Sequence, residues 1–105
     1  LCRTANIRQA AALHSQGEVI YWSYGNSEPP RAKKMAEIMS TSSGYALDVP
    51  VGIADGGGFK DWFITEFRRP GFTIELGTGK NPLPAADAEK IYMRVRKMLM
   101  LFIMM

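Results

Sequence analysis

The stretch Arg-Pro-Gly-Phe-Thr-Ile-Glu-Leu-Gly, from Arg69 to Gly77, carries the clearest signal for the fold. Residues 72–76 contain alternating apolar side chains between two glycines, which predicts a short strand. Pro70 disfavours helical backbone at the residue before it, so an upstream helix should end there. Glu75 falls near the carboxyl end of the strand, where burial of a carboxylate is unfavourable unless it is paired, liganded or catalytic.

Strand and helix patterns alternate through the rest of the chain. Apolar and β-branched runs at 10–13 and 19–24 predict two further strands. Apolar positions three and four residues apart predict amphipathic helices over 31–42, over 59–67 and from residue 85 onward. This alternation predicts an α/β fold with a mixed, largely parallel sheet flanked by helices.

Some apolar side chains are expected to form the core. Trp22, Trp62 and Phe63 are expected to pack there, because aromatic side chains at strand or helix spacing usually do. The run 98–105 is apolar on every face of the predicted final helix. It should therefore be buried against the sheet or form a sticky apolar surface.

Composition excludes several functional classes. The chain has 105 residues, 47% of them hydrophobic and 22% charged, which predicts one globular domain over 1–105. Its net charge is +3, and the basic residues are scattered, so no nucleic-acid partner is predicted. The longest apolar run falls well short of the roughly 18 residues of a membrane-spanning helix, so no span is predicted. The single cysteine, Cys2, excludes an intrachain disulfide and suits a reducing compartment.

His14 and Glu75 are the candidates for chemistry. His14 is the only histidine and opens a polar quartet, His-Ser-Gln-Gly, directly after an apolar run. Ligands collect at the ends of strands in α/β sheets, so both side chains could face one site. The residues alone leave the alternatives open that His14 is structural and Glu75 solvated. One histidine also cannot build a zinc site, which needs three or four ligands.

Longer strings are more specific than these single residues. They read His-Ser-Gln-Gly-Glu-Val-Ile-Tyr-Trp at 14–22, Gly-Gly-Phe-Lys-Asp-Trp-Phe at 57–63, the stretch 69–77, and Gly-Lys-Asn-Pro-Leu-Pro at 79–84. In this order, and over nearly the whole chain, they resemble the zinc metallocarboxypeptidase family of carboxypeptidase A. The resemblance is greatest to the bacterial γ-D-glutamyl-L-diamino-acid peptidases, which cleave peptidoglycan stem peptides.

The resemblance implies a hydrolase that acts on a peptide substrate with one catalytic Zn²⁺ ion. His14 matches the zinc-binding histidine that lies far along the sequence from the other two ligands. Glu75 matches the catalytic glutamate that moves a proton from water to the leaving amine. Ser15, Gln16 and Lys80 are candidate substrate neighbours. A turn-forming role for Ser15 and Gln16, and a solvated surface position for Lys80, are the alternatives.

The sequence also departs from the family pattern. It contains no His-x-x-Glu, so the other zinc ligands, like the arginine and asparagine that bind substrate, are expected upstream of His14. The family's mobile tyrosine would fall near Ile53, where the chain has none. The chain begins at Leu1 without a signal pattern, and we expect it to be a carboxyl-terminal fragment that is inactive by itself.

Two alternatives to an enzyme follow. The chain could be a non-catalytic peptide- or peptidoglycan-binding remnant, or a structural α/β fragment that associates through its apolar final helix. The cytoplasm is the favoured compartment, with the cell wall and the spore as alternatives, and the sequence leaves the oligomeric state open.

Overall fold

The computed structural model describes residues 3–48 and 58–105, which form four strands and three α-helices. Cys2 and residues 52–57 of the predicted glycine-rich loop, Ile53 among them, lie outside the described residues. A 3₁₀ turn, Ala85–Asp87, leads into the last helix. In chain order the elements are β1 (Ala10–His14), β2 (Val19–Tyr21), α1 (Ala32–Ser43), β3 (Ala46–Asp48), α2 (Phe59–Phe67), β4 (Gly71–Glu75) and α3 (Ala88–Met104).

The four strands form one sheet in the order β1-β4-β2-β3. β1 runs parallel to β4, and β2 runs parallel to β3, while β2 and β4 are antiparallel. The predicted α/β class, with a mixed and largely parallel sheet, is confirmed. β1 and β4 therefore begin at the same edge of the sheet and end at the same opposite edge.

The pleat of β4 separates the two faces of the sheet. Phe72 and Ile74 are fully buried in the main core. Gly71 points to the other face, where a Cβ atom would lie 3.2 Å from the Phe63 ring and close to Ile64 of α2. Because side chains alternate along a strand, Glu75 shares the α2 face of the sheet with Gly71. The main core brings together the sheet, α1 and α3 through Ile20, Met35, Ala36, Met39, Tyr45, Phe72, Ile74, Val95 and Met98.

The amphipathic pattern located α1 to within one residue of its observed position. Met35 and Met39 face the core as the spacing predicts, and Gly44 ends the helix with φ 79°, donating its N–H to Ser40 O at 2.7 Å. Arg31, predicted to be the first helical residue, is instead the N-cap, with a left-handed φ of 72°. Similarly, the predicted strand 19–24 is shorter, because Tyr24 leaves the sheet to bridge with Ser27.

The predicted core is correct for Phe63 and wrong for Trp62. Phe63 is fully buried, whereas Trp62 is 40% exposed and packs at the surface against the ring of Phe67.

The apolar run at the end of the final helix is also only partly buried. Met98 is buried, but Met104 is 78% exposed, so the terminal apolar run is part core and part surface. One stripe of α3 covers α1 and the sheet, and nothing in residues 3–48 and 58–105 covers its opposite side. No helix in this part of the chain has the length and apolarity that crossing a bilayer requires.

Candidate functional site

His14 and Glu75 are paired in the register of β1 and β4, and each is the last residue of its strand. Neighbouring strands lie about 4.8 Å apart, so the two side chains leave the same face of the sheet at adjacent positions. His14 is exposed and Glu75 is half-buried. The structure thus brings an imidazole and a carboxylate together at one edge of the sheet.

Backbone hydrogen bonds continue this pairing beyond the strand ends. The N–H of Leu76 donates to the carbonyl of His14 at 2.7 Å, and the N–H of Gly17 donates to the carbonyl of Gly77 at 2.8 Å. The N–H of Gly77 in turn donates to the hydroxyl of the buried Tyr45 at 3.3 Å. The loop after His14 and the loop after Glu75 therefore leave the sheet side by side.

Ser15 and Asn81 join the same two loops through their side chains. Ser15 Oγ donates to Asn81 Oδ1 at 2.8 Å, and Asn81 Nδ2 donates to the Ser15 carbonyl at 2.9 Å. The Ser15–Gln16 and Asn81–Pro82 peptide bonds are both cis. Asn81 is a site residue that the sequence did not single out, because an exposed asparagine before a proline is typical of any loop.

The remaining candidates lie on these two loops. Gln16 follows Ser15, and Lys80 precedes Asn81; both side chains are exposed. The predicted site residues therefore occupy a single edge of the sheet, although the surface position proposed as an alternative for Lys80 also agrees with its exposure.

A polar network lies behind the site. Arg94 Nε donates to the Ser43 carbonyl at 2.9 Å, its Nη1 pairs with Glu18 Oε2 at 3.3 Å, and its guanidinium lies 5.6 Å from the centre of the Tyr45 ring. Burial raises the pKa of Tyr45 above its usual value, and the nearby Glu18 carboxylate acts in the same direction. The N–H of Gly77 and the Arg94 charge oppose this shift of the pKa. The Tyr45 hydroxyl is thus held as a neutral hydrogen-bond partner of the loop after Glu75.

The donor types at this edge suit part of a metal site. A neutral imidazole binds zinc well, and a nearby carboxylate can serve as a ligand or as a base. Within residues 3–48 and 58–105, however, no group of three or more His, Cys, Asp and Glu side chains could hold a metal ion. A zinc site that includes His14 would need ligands beyond this part of the chain.

The buried ion pair of Lys60 and Asp61 at the start of α2 is separate from these residues. Lys60 Nζ donates to Asp61 and to the carbonyl of Ser23. Asp61 therefore has a structural partner at the start of this helix.

No protein-family model matches the chain. The chain is 48% identical over 93 residues to gamma-D-glutamyl-L-diamino acid endopeptidase 1 of Lysinibacillus sphaericus, a match that covers 88% of this chain and 23% of the relative. It is 41% identical over 81 residues to the uncharacterized protein YqgT of Bacillus subtilis (strain 168), covering 77% of this chain and 22% of that protein. The chain thus spans less than a quarter of the length of these curated relatives, and it is a homologue of a segment of a protein named as an endopeptidase.

Proposed function

We propose that this chain supplies part of a zinc-dependent peptidase of the metallocarboxypeptidase type, which hydrolyses an amide bond in cell-wall stem peptides. The observation that carries the proposal is the pairing of His14 with Glu75 at the carboxyl edge of the sheet. Support comes from the 48% identity to a segment of a protein whose name states a γ-D-glutamyl-L-diamino acid bond.

His14 is the proposed metal ligand. Its imidazole is exposed at the end of β1, so it is accessible to a metal ion. A zinc ion held there would polarise the scissile carbonyl and increase the acidity of water. We place the remaining ligands in chain segments beyond this one and assign residues 1–105 to the carboxyl-terminal half of the complete peptidase domain.

Glu75 is the proposed general base and acid. Its carboxylate takes a proton from the attacking water while the water oxygen bonds to the carbonyl carbon. The same proton then passes to the leaving nitrogen as the carbon–nitrogen bond breaks. The products are a carboxylic acid and an amine, so no covalent intermediate with the enzyme is required.

Ser15, Gln16 and Lys80 are the proposed neighbours of the substrate. The Lys80 ammonium suits a carboxylate of a glutamyl or diamino-acid residue, with which it could form an ion pair. The Ser15 hydroxyl proton is donated to Asn81, which leaves the hydroxyl oxygen as an acceptor for the substrate. The exposed Gln16 amide offers both donors and an acceptor.

The test compares Glu75→Gln with Glu37→Gln in the intact protein that contains this chain. Glu37 is an exposed glutamate of α1, so its variant removes the same charge away from the site. With a γ-D-glutamyl-L-diamino acid peptide as substrate, Glu75→Gln should lower kcat by about 10²- to 10⁴-fold, because it removes the proton acceptor. Bound zinc, measured by mass spectrometry, should stay unchanged in both variants. An equal loss of zinc and of kcat in Glu75→Gln would contradict the assigned role.

His14→Ala completes the test. It should lower zinc occupancy, because it removes a ligand rather than the base. A non-catalytic peptide-binding protein is the second candidate, because the exposed side chains of Ser15, Gln16 and Lys80 could contact a peptide without a metal ion. That candidate predicts binding of the peptide without hydrolysis, and without any effect of zinc, in the intact protein.

A further inference from the structure

An arginine-lined cavity lies at the edge of the sheet opposite to His14 and Glu75. Its volume is about 380 Å³, and its lining contains Asn6 and four arginines, Arg8, Arg31, Arg68 and Arg69. The cavity is located where β1 and β4 begin, at the hydrogen bond of 3.1 Å from the N–H of Ala10 to the carbonyl of Pro70. Each strand has five residues, so about 13 Å of strand separates this cavity from the candidate active site.

The positive charge of the cavity is not neutralised within residues 3–48 and 58–105. No carboxylate lines it. The ion pairs of this part of the chain use Arg3, Lys60 and Arg94 instead. Four guanidinium groups that share one cavity repel each other, and this repulsion would be relieved by a bound anion.

Two of the four arginines are held in place by hydrogen bonds to the protein, and the other two are available to bind a ligand. Arg69 Nη1 donates to the Ile7 carbonyl at 2.5 Å and to Asn6 at 3.4 Å. Arg31 Nη2 donates to Gln9 Oε1 at 3.0 Å. Arg8 and Arg68 are exposed, and in the described part of the chain their side chains donate no hydrogen bond.

The backbone adds a second observation. Arg31 and Arg68 have φ values of 72° and 52°, in the left-handed region that favours glycine. Arg68 is the C-cap of α2, and its N–H donates to the Ile64 carbonyl at 2.9 Å. Glycine is the residue that best suits such a position, so a glycine can replace Arg68 without straining the backbone.

We propose that this cavity binds a small oxyanion with several negative charges, such as a diphosphate group. Guanidinium groups bind phosphate and carboxylate oxygens through paired, charge-assisted hydrogen bonds. The cavity also falls within the range of about 300 to 1,000 Å³ that is typical of small-molecule sites. The site requires neither the metal nor the peptidase activity proposed above.

Calorimetric titration of the intact protein that contains this chain, freed of metal, with pyrophosphate tests the proposal. Saturable binding of one pyrophosphate per chain is expected. Arg68→Gly should weaken it by about tenfold or more, because a hydrogen bond to a charged group is lost. The same variant should not lower Tm, because the relief of left-handed backbone strain offsets the greater freedom of glycine in the unfolded chain. Weaker binding without a loss of stability cannot result from misfolding.

Arg96→Gln is the matched control, since it removes one exposed arginine on α3 outside the cavity. It should change the affinity for pyrophosphate by less than about twofold, through the net charge alone. Equal weakening in Arg68→Gly and Arg96→Gln would overturn the proposal, as would the absence of saturable binding to the folded wild-type protein. Citrate is the second probe: binding of both anions supports a general oxyanion site, and binding of pyrophosphate alone supports one for phosphoryl groups.

Discussion

The carbonyl of His14 accepts a hydrogen bond of 2.7 Å from the N–H of Leu76, the residue directly after Glu75. This bond extends the β1–β4 ladder past the register pair of His14 and Glu75. Two residues far apart in sequence are thereby fixed at one edge of the sheet by the backbone, independently of what their side chains contact. The proposed roles of the His14 imidazole as metal ligand and of the Glu75 carboxylate as general base and acid both depend on this arrangement.

The hydrogen bonds between Ser15 and Asn81 should stabilise the loops of the site. Asn81→Ala removes two hydrogen bonds and should lower the free energy of unfolding by about 1 to 2 kcal/mol, given the exposed position of the pair. Ser15→Ala removes only one and should lower it by about half as much. Thr78→Ala, on the same exposed loop, should change it by less than about 0.5 kcal/mol. Urea unfolding measures all three, and an equal effect of Asn81→Ala and Thr78→Ala would show that the bonds contribute nothing.

Gly77 combines a left-handed backbone with a close approach of the final helix. Its φ is 70°, and a Cβ atom there would lie 2.8 Å from Ile91 Cδ1 and 2.9 Å from Leu83 Cδ1. Gly77→Ala should therefore destabilise the fold by about 2 kcal/mol, about half from backbone strain and the rest from displacing the ends of the Ile91 and Leu83 side chains.

Gly25 provides a matched control for this substitution. Its φ is 56°, and nothing lies within 4 Å of the added Cβ position. Gly25→Ala should cost only the backbone term, about 1 kcal/mol. If chemical unfolding gives the same loss for both variants, packing against Ile91 and Leu83 does not constrain the loop after Glu75.

Stability should decrease in alkaline solution partly because of Tyr45. Its pKa in the folded protein is raised, mainly by burial, above the value of about 10 expected in the unfolded chain. The contribution of this phenol is therefore fully present below about pH 10 and is lost as pH rises through the folded pKa. Tyr45→Phe removes the titration, so the difference in unfolding free energy between wild type and variant should be constant up to about pH 9 and should shrink from there to about pH 11. A difference that stays constant over this range would contradict a raised pKa.

The sequence predicted the elements better than it predicted their boundaries. Apolar spacing located α1, α2 and β4, because a helix or strand with one buried face imposes its period on the sequence. The start of α1 at Ala32 rather than Arg31 depends on the left-handed backbone of Arg31, which leaves no such pattern. The exposure of Trp62 was predicted wrongly for a related reason: periodicity identifies an apolar face but not how much of it another element covers.

The sequence predicted that His14 and Glu75 lie at strand ends and could face one site, but it did not predict which strands are neighbours in the sheet. The positions of His14 and Glu75 followed from strand ends and from the strings they belong to, whereas their exact register depends on how β1 and β4 pair. The contact of Ser15 with Asn81 had no signal at all, since both are exposed polar loop residues far apart in the chain. The burial of Lys60 was missed because a lysine in a helical pattern is normally assigned to the solvated face.

Anomalous diffraction at the zinc absorption edge, from crystals of the intact protein that contains this chain, tests most directly whether His14 and Glu75 serve one metal centre. A shared metal centre predicts a zinc peak about 2.0 to 2.1 Å from a His14 ring nitrogen, with the Glu75 carboxylate beside it and not bonded to it. A peak remote from His14, or packed side chains that fill the space between His14 and Glu75, would contradict it.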